Sequence, residues 1–430
     1  MSNLTILITD VNYMIKLGKY SIGLGDRFGH QGSAQLKAII AAAEKGIDMT
    51  PVWNKSYREH FTIGTRPNDV RIEADVSIKN AGFKNPYFVD ADHINIDTVD
   101  PFIECSDFFT IDVASYIGRK ASEKDIGKFL SDAGKYTGEL KIPGIKLSLK
   151  ITKSQIRQIS EKYLFAAAKA RDIYDKIEKV KGNGNFITEV SMDEVAQPQT
   201  PVELFFILKM LASENLPVQT IAPKFSGRFN KGIDYVGDPL LFADEFESDL
   251  WVIDYAVKEF GLPYNLKMSI HSGSDKFSIY PYIGSIIRKY DMGIHLKTAG
   301  TTWLEEVIGL AESGGEGLDF VKEIYFKSLE NIKELCAPYS DVINIKVSSL
   351  PSKLTVSGWN SSKFSGSLKH IPGSPLYNPD MRQLIHVAYK LAAFRMKDYF
   401  RLLDINEKTV SKCVFENIYN RHICRLFDIR

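Results

Sequence analysis

NLKMSIHSGSDKFSIYPYIGSIIRKYDMGIHLK, residues 265–297, reads as strand, helix, strand. In its first run Lys267, Ser269 and His271 alternate with Leu266, Met268 and Ile270. In its last run His295 and Lys297 alternate with Ile294 and Leu296. Successive strand residues point to opposite faces, so each run has one apolar and one polar face. A parallel strand buries its apolar outer face beneath a crossover helix. The polar face must then point into a closed sheet, and its last members stand at the carboxyl rim.

Six more short apolar runs precede this unit: 20–25, 48–53, 87–92, 108–113, 186–192 and 218–223. Helical periodicity follows most runs, over 33–46, 68–81, 154–181, 201–214, 239–260, 277–289 and 302–312. Eight strands alternating with helices predict an α/β fold, a TIM-type (β/α)8 barrel. The spacing predicts a catalytic barrel over 1–315, with a β excursion inserted at about 118–153. A C-terminal helical extension packed on the barrel is expected over 316–430. Residues 351–380, rich in Ser, Gly and Pro, read as a long surface loop.

Composition narrows the function classes. The formal net charge of +1 offers no bulk field for nucleic acid or an acidic membrane surface. No run of about 18 apolar residues is present to span a bilayer. MSNLTILITDVNYMIKLGKY at the N-terminus lacks a leader's apolar core. Four scattered cysteines, without a CxxC pair, read as reduced thiols in a cytoplasmic protein. A small molecule is the expected partner, and homo-oligomerisation is left open.

The chemistry concentrates at the strand ends, where barrel active sites lie. Asp26 and Arg27 end the first strand; Asp92 and His93 end the third; Asp112 ends the fourth. Glu189 and Glu194 lie on or after the fifth, and Lys224 follows the sixth. His271, Ser272, Asp275 and Lys276 follow the seventh, and His295 and Lys297 lie on the eighth. Inward charges need partners or a metal. His93, His271 and His295 are therefore candidate ligands of a divalent ion such as Zn, Mn, Ni or Co. His93 has the wrong parity relative to Asp90 and Asp92, so it reaches the site only if the chain turns there. Asp92 and Glu189 are candidate acid and base, with their order left open. Asp26, Arg27, Asp112, Glu194, Lys224, Ser272, Asp275, Lys276 and Lys297 are candidate substrate-binding residues. GLGDRFG (23–29) lacks the GxGxxG spacing, so no nicotinamide is expected.

GLGDRFG (23–29), FVDADHI (88–94), TIDVA (110–114), EVSMDE (189–194), KGIDYVGD (231–238), SIHSGSDKFSIYP (269–281), HLKTAGTTWLEE (295–306) and RQLIHVAY (382–389) together resemble the tagaturonate epimerase family. The resemblance spans about residues 20 to 390. It implies a metal-dependent epimerase interconverting tagaturonate and fructuronate, or a related ketose. It also implies a metal on His93, His271 and His295, and acid–base roles for residues such as Asp92 and Glu189. One departure is Gln35, which stands where a histidine is usual after the GxGDRxG motif. The competing readings are a metal-dependent sugar-acid isomerase or aldolase on the same barrel, and a catalytically silent carbohydrate-binding homologue.

Overall fold

The computed structural model describes residues 14–298, 301–371 and 373–429. Most of the N-terminal stretch read for a leader, and the Ala299-Gly300 pair of HLKTAGT, therefore lie outside the described residues. The strands are β1 (Tyr20–Gly25), β2 (Met49–Ser56), β3 (Phe88–Ile94), β4 (Phe108–Asp112), β5 (Gly138–Leu140), β6 (Leu149–Ile151), β7 (Ile187–Ser191), β8 (Thr220–Ala222), β9 (Lys267–His271) and β10 (Ile294–Lys297). Eight of them close into a barrel in the order β1-β10-β9-β8-β7-β4-β3-β2, paired in parallel throughout. All eight expected barrel strands are present.

The crossover helices form where cap and pattern agree. Thr200 accepts from the Glu203 N–H while Glu203 reaches back, and Pro201 opens the helix Pro201–Ser213. Thr152 and Gln155 make the same reciprocal pair at the head of Lys153–Lys181. Met268, Ile270, Ile294 and Leu296 are buried in the continuous apolar layer between sheet and helices. The inner face is layered differently. Val52, Phe88, Phe108 and Ile187 form an apolar plug with Leu17. Lys267, inward as expected, serves the barrel floor: its ammonium donates to the Leu17 and Gly18 carbonyls.

Two segments differ from expectation. The 118–153 insertion holds a helix, Glu123–Ala133, ahead of the antiparallel β5–β6 pair. The 351–380 region contains the short helices Lys353–Ser357 and Ser361–Leu368. Helices from Gly315–Glu330 onward build a second core, which includes Trp303, Val307, Leu384 and Leu403. Among the described residues no helix is long and apolar enough to cross a membrane.

Candidate active-site cleft and metal centre

A cleft of about 820 Å³ opens among the strand ends and their following loops. Each strand reaches it by its own local device. β9 delivers His271 by simple alternation. β7 runs Glu189, Ser191, Asp193 on one parity, so Asp193 continues the inward row past the strand end. β3 uses a bulge: the register with β4 shifts between Ala91 and Ile94, and His93 takes a left-handed backbone, φ 50°. That extra residue turns His93 toward the side on which Asp92 already lies. The turn demanded by the parity argument is therefore built into the strand.

His93, His271 and Asp193 each bring one ligand atom within 4.8 Å of the others. The two imidazole centres are 5.0 Å apart. His271 Nε2 contacts Glu189 Oε1 at 2.8 Å, which leaves Nδ1 facing the centre. That Nδ1 is buried and faces Asp193 Oδ1 at 3.1 Å. His93 Nδ1 meets Asp112 Oδ2 at 3.2 Å, and its Nε2 is 3.9 Å from Asp92 Oδ1. A carboxylate behind each imidazole fixes ring orientation and tautomer, a common arrangement behind metal-bound histidine. His93 with Asp112 and Glu194 makes an alternative, more exposed grouping.

Lys297 sits beneath this centre among three carboxylates. Its Nζ lies 2.8 Å from Asp90, 2.9 Å from Asp92 and 3.1 Å from Glu189, and donates to Thr110 Oγ1 at 2.6 Å. Gly23 makes room for it: a Cβ there would stand 3.0 Å from Lys297 Cγ. Burial acts to lower the lysine's pKa, but the three acids outweigh it and hold it well above the usual value. Burial, with Asp92 and Glu189, pushes Asp90 up to about 7 against the pull of Lys297. Asp92 is opposed by burial yet held down to about 2 by Lys297 and His93. Asp90 is thus the carboxylate that keeps a proton nearest neutrality. Burial would lower His271, but Asp193 and Glu189 raise it to about 9.

The sequence-derived candidates divide into two groups. Arg27, Asp92, His93, Asp112, Glu194, Lys224, His271 and Lys297 line the cleft. Glu189 lies fully buried just below it, under His271. His295 lies apart from the cleft lining. Lys297, not His295, is in register with His271, and His295 pairs with Ser269 one layer deeper. Its Nδ1 bonds Ser21 Oγ at 2.9 Å and its ring packs 5.3 Å from Phe108, so Asp193 takes its place in the ligand cluster. The Asp26 carboxylate accepts the backbone N–H groups of Phe28, Gly29, His30 and Gln31 and folds the turn. Ser272 donates to the Lys297 carbonyl. Asp275 pairs with Arg382 at 2.8 Å, and Lys276 donates to the Asn230 and Ile233 carbonyls. These three hold loops and do not line the cleft. Gln35 is buried between Trp53 Nε1 and Thr302 Oγ1. Sequence reasoning missed Asp193, although its parity with Glu189 was the available signal.

A closed parallel barrel whose strand ends bring histidines and carboxylates to one cleft defines the class of (β/α)8-barrel enzymes. The chain belongs to the tagaturonate epimerase family, whose sequence model matches residues 2–426. It is accordingly an isomerase-class enzyme acting on carbohydrates. It is 27% identical over 419 residues to the tagaturonate/fructuronate epimerase of Thermotoga maritima, covering 94% of this chain and 80% of that protein. The native crystal structure of fructuronate-tagaturonate epimerase from Cohnella laeviribosi superposes with a TM-score of 0.79 at 22% identity, covering 97% of this chain and 84% of that one. A glycerol complex of the same enzyme gives a TM-score of 0.78 at 22% identity over the same shares. Those structures share the fold described above.

Proposed function

We propose that this enzyme interconverts tagaturonate and fructuronate, using a divalent cation held by His93 Nε2, His271 Nδ1 and an Asp193 oxygen. The observation that carries the metal assignment is the convergence of His93, His271 and Asp193, whose ligand atoms lie within 4.8 Å of one another. That donor set suits a borderline ion of the Zn, Mn, Ni or Co type. Such a cation supplies Lewis-acid stabilisation of developing oxygen charge when bound.

The two sugars differ at a carbinol carbon one bond beyond the carbon next to the ketone. Its C–H is not acidified by the carbonyl, so direct deprotonation is unproductive. Cleavage and re-formation of the neighbouring C–C bond avoids that barrier. A base takes the carbinol hydroxyl proton, the bond to the carbon beside the ketone breaks, and its electron pair passes to the ketone oxygen. The aldehyde fragment turns, the bond re-forms on its other face, and the proton returns. Asp92 is the carboxylate suited to carry that proton, because it lines the cleft and Lys297 holds it ionised. Glu189, buried under His271, orients that imidazole rather than touching substrate. A route through bound nicotinamide is disfavoured by the β1 turn, where Asp26 already occupies the amides a pyrophosphate would need. Four free cysteines fit a reducing, cytoplasmic setting.

Metal analysis and an epimerase assay without added NAD test this reading. Wild type and His295→Leu should retain metal, whereas His271→Ala and Asp193→Ala should lose both metal and turnover. Full metal content in His271→Ala removes the proposed centre.

A further inference from the structure

The cations bordering the cleft are not equivalent. Arg27 is fully engaged: Nε with Glu59 at 3.0 Å, Nη1 with the His386 carbonyl at 2.7 Å and Nη2 with His386 Nε2 at 3.0 Å. Lys297 is held by three carboxylates. Lys276 is spent on the Asn230 and Ile233 carbonyls. Lys224 and Lys231 differ: both line the cleft half-buried and, among the described residues, neither has an ion-pair partner. Lys231 is the one that stands with a second cation, Arg58, at a shared ring, and Glu194 and Glu59 act on it only from a distance.

We propose that Lys231, with Arg58 beside it, receives the carboxylate of the sugar acid and so selects an anionic substrate over its neutral counterpart. The inference rests on the hexuronate reading above and names the residues that enforce it. A partly desolvated ammonium without a counter-ion is costly, and a ligand carboxylate relieves that cost. Burial together with Arg27 and Arg58 pulls the Lys231 pKa below its usual value, the mark of a cation lacking an anion. Both cations flank one ring: Lys231 Nζ is 5.9 Å and Arg58 Cζ 5.1 Å from the Tyr339 centre.

The loop carrying Lys231 is fixed unusually firmly for a surface connection. The Lys231 N–H donates to the Val342 carbonyl at 2.7 Å, and the Gly232 N–H to Ser274 Oγ at 2.9 Å. Arg382 Nε donates to the Gly232 carbonyl at 2.6 Å, while Lys276 holds the carbonyls of Asn230 and Ile233. Ser274, Lys276 and Arg382 are themselves fully buried. Three buried side chains therefore lock the backbone on either side of a lysine whose own side chain is left free. Asp92, Asp112 and Asp193 gather around the histidines. A sugar acid can place its hydroxyl-bearing carbons there and its carboxylate at Lys231.

The test compares wild type, Lys231→Met, Lys231→Arg and Arg228→Met, an exposed cation on the same rim. Tagaturonate kinetics, metal content and calorimetric binding of galactonate and its neutral counterpart galactitol are measured for each. For Lys231→Met we expect KM for tagaturonate to rise about 10- to 100-fold, with kcat changed less, the scale of one charge-assisted hydrogen bond. Galactonate binding should weaken equally, with galactitol binding and metal content unchanged. Lys231→Arg should recover most of the affinity, and Arg228→Met should match wild type. An unchanged KM in Lys231→Met, equal losses for acid and alditol, or wild type that does not prefer galactonate overturns the assignment. If wild type fails to turn over tagaturonate, the proposed reaction falls, and the galactonate arm still decides the subsite.

Discussion

A histidine set among carboxylates competes with a metal through its own proton. His271 is raised to about 9 by Asp193 and Glu189 against burial, so without a cation it is protonated at neutral pH. Metal uptake must displace that proton. Apparent metal affinity should therefore fall about tenfold per pH unit per proton below 9, measurable by chelator competition between pH 6.5 and 8.5. A flat profile would show that His271 does not ligate through a titrating nitrogen. His295 responds oppositely. Burial pushes it down to about 3, so between pH 6.5 and 3 the unfolded chain takes a proton that the folded chain refuses. Its stability contribution is present above pH 6.5 and is lost as pH falls. At pH 5 the loss is about 2 kcal/mol. Urea midpoints at pH 7 and pH 5 should converge in His295→Leu relative to wild type. Parity was enough to place His271, His295 and Lys297 on the inner face. Depth required the register between β9 and β10, which pairs Lys297 with His271 and leaves His295 a layer lower. No single strand encodes that offset.

At the scale of elements, the barrel strands were legible because alternation, strand length and the following helices agreed. The missed helices had physical reasons. Glu123–Ala133 buries Ile126, Phe129 and Ala133, but Gly127 interrupts the pattern. In 351–380 the residues read as loop markers are helix caps: Ser352 accepts from the Thr355 N–H and Asn360 from the Lys363 N–H. The β3 bulge was legible only as a conflict of parity, which the left-handed His93 resolves. The loop at Gly232 depends on backbone freedom, with φ 81°. Gly232→Ala should cost about 1–2 kcal/mol from the left-handed strain. It should also displace Lys231, so a lowered Tm should accompany a raised KM at unchanged metal content.

At the scale of the whole molecule, a buried carboxylate gathers partners from distant parts of the chain. Asp275, at 0% exposure, meets Arg382 at 2.8 Å, His422 Nε2 at 3.1 Å and Asn417 Nδ2 at 3.2 Å. The π-helical turn Asn417–Ile423 presents Asn417 and His422 to that acid, and Arg421 to the adjoining Glu305. The His271 strand β9 and the C-terminal helices are thereby tied through the SGSDK loop. Arg382→Met should leave Asp275 short of charge and cost about 3–5 kcal/mol, read as a drop in Tm. Residue patterns suggested a C-terminal extension but not that its charges complete the barrel's loops, since the partners are separated so far along the chain.

That separation has a consequence during translation. Asp275 emerges 107 residues before Arg382 and 147 before His422. At about 5–20 residues per second, a nascent chain waits roughly 5 to 21 s between Asp275 and Arg382. β10 is completed early in that interval, and until Arg382 follows the acid behind the β9 loop lacks its guanidinium counter-charge. The growing polypeptide must therefore be kept from collapsing around an unpaired carboxylate, and a premature stop codon downstream of the barrel leaves it in that state permanently.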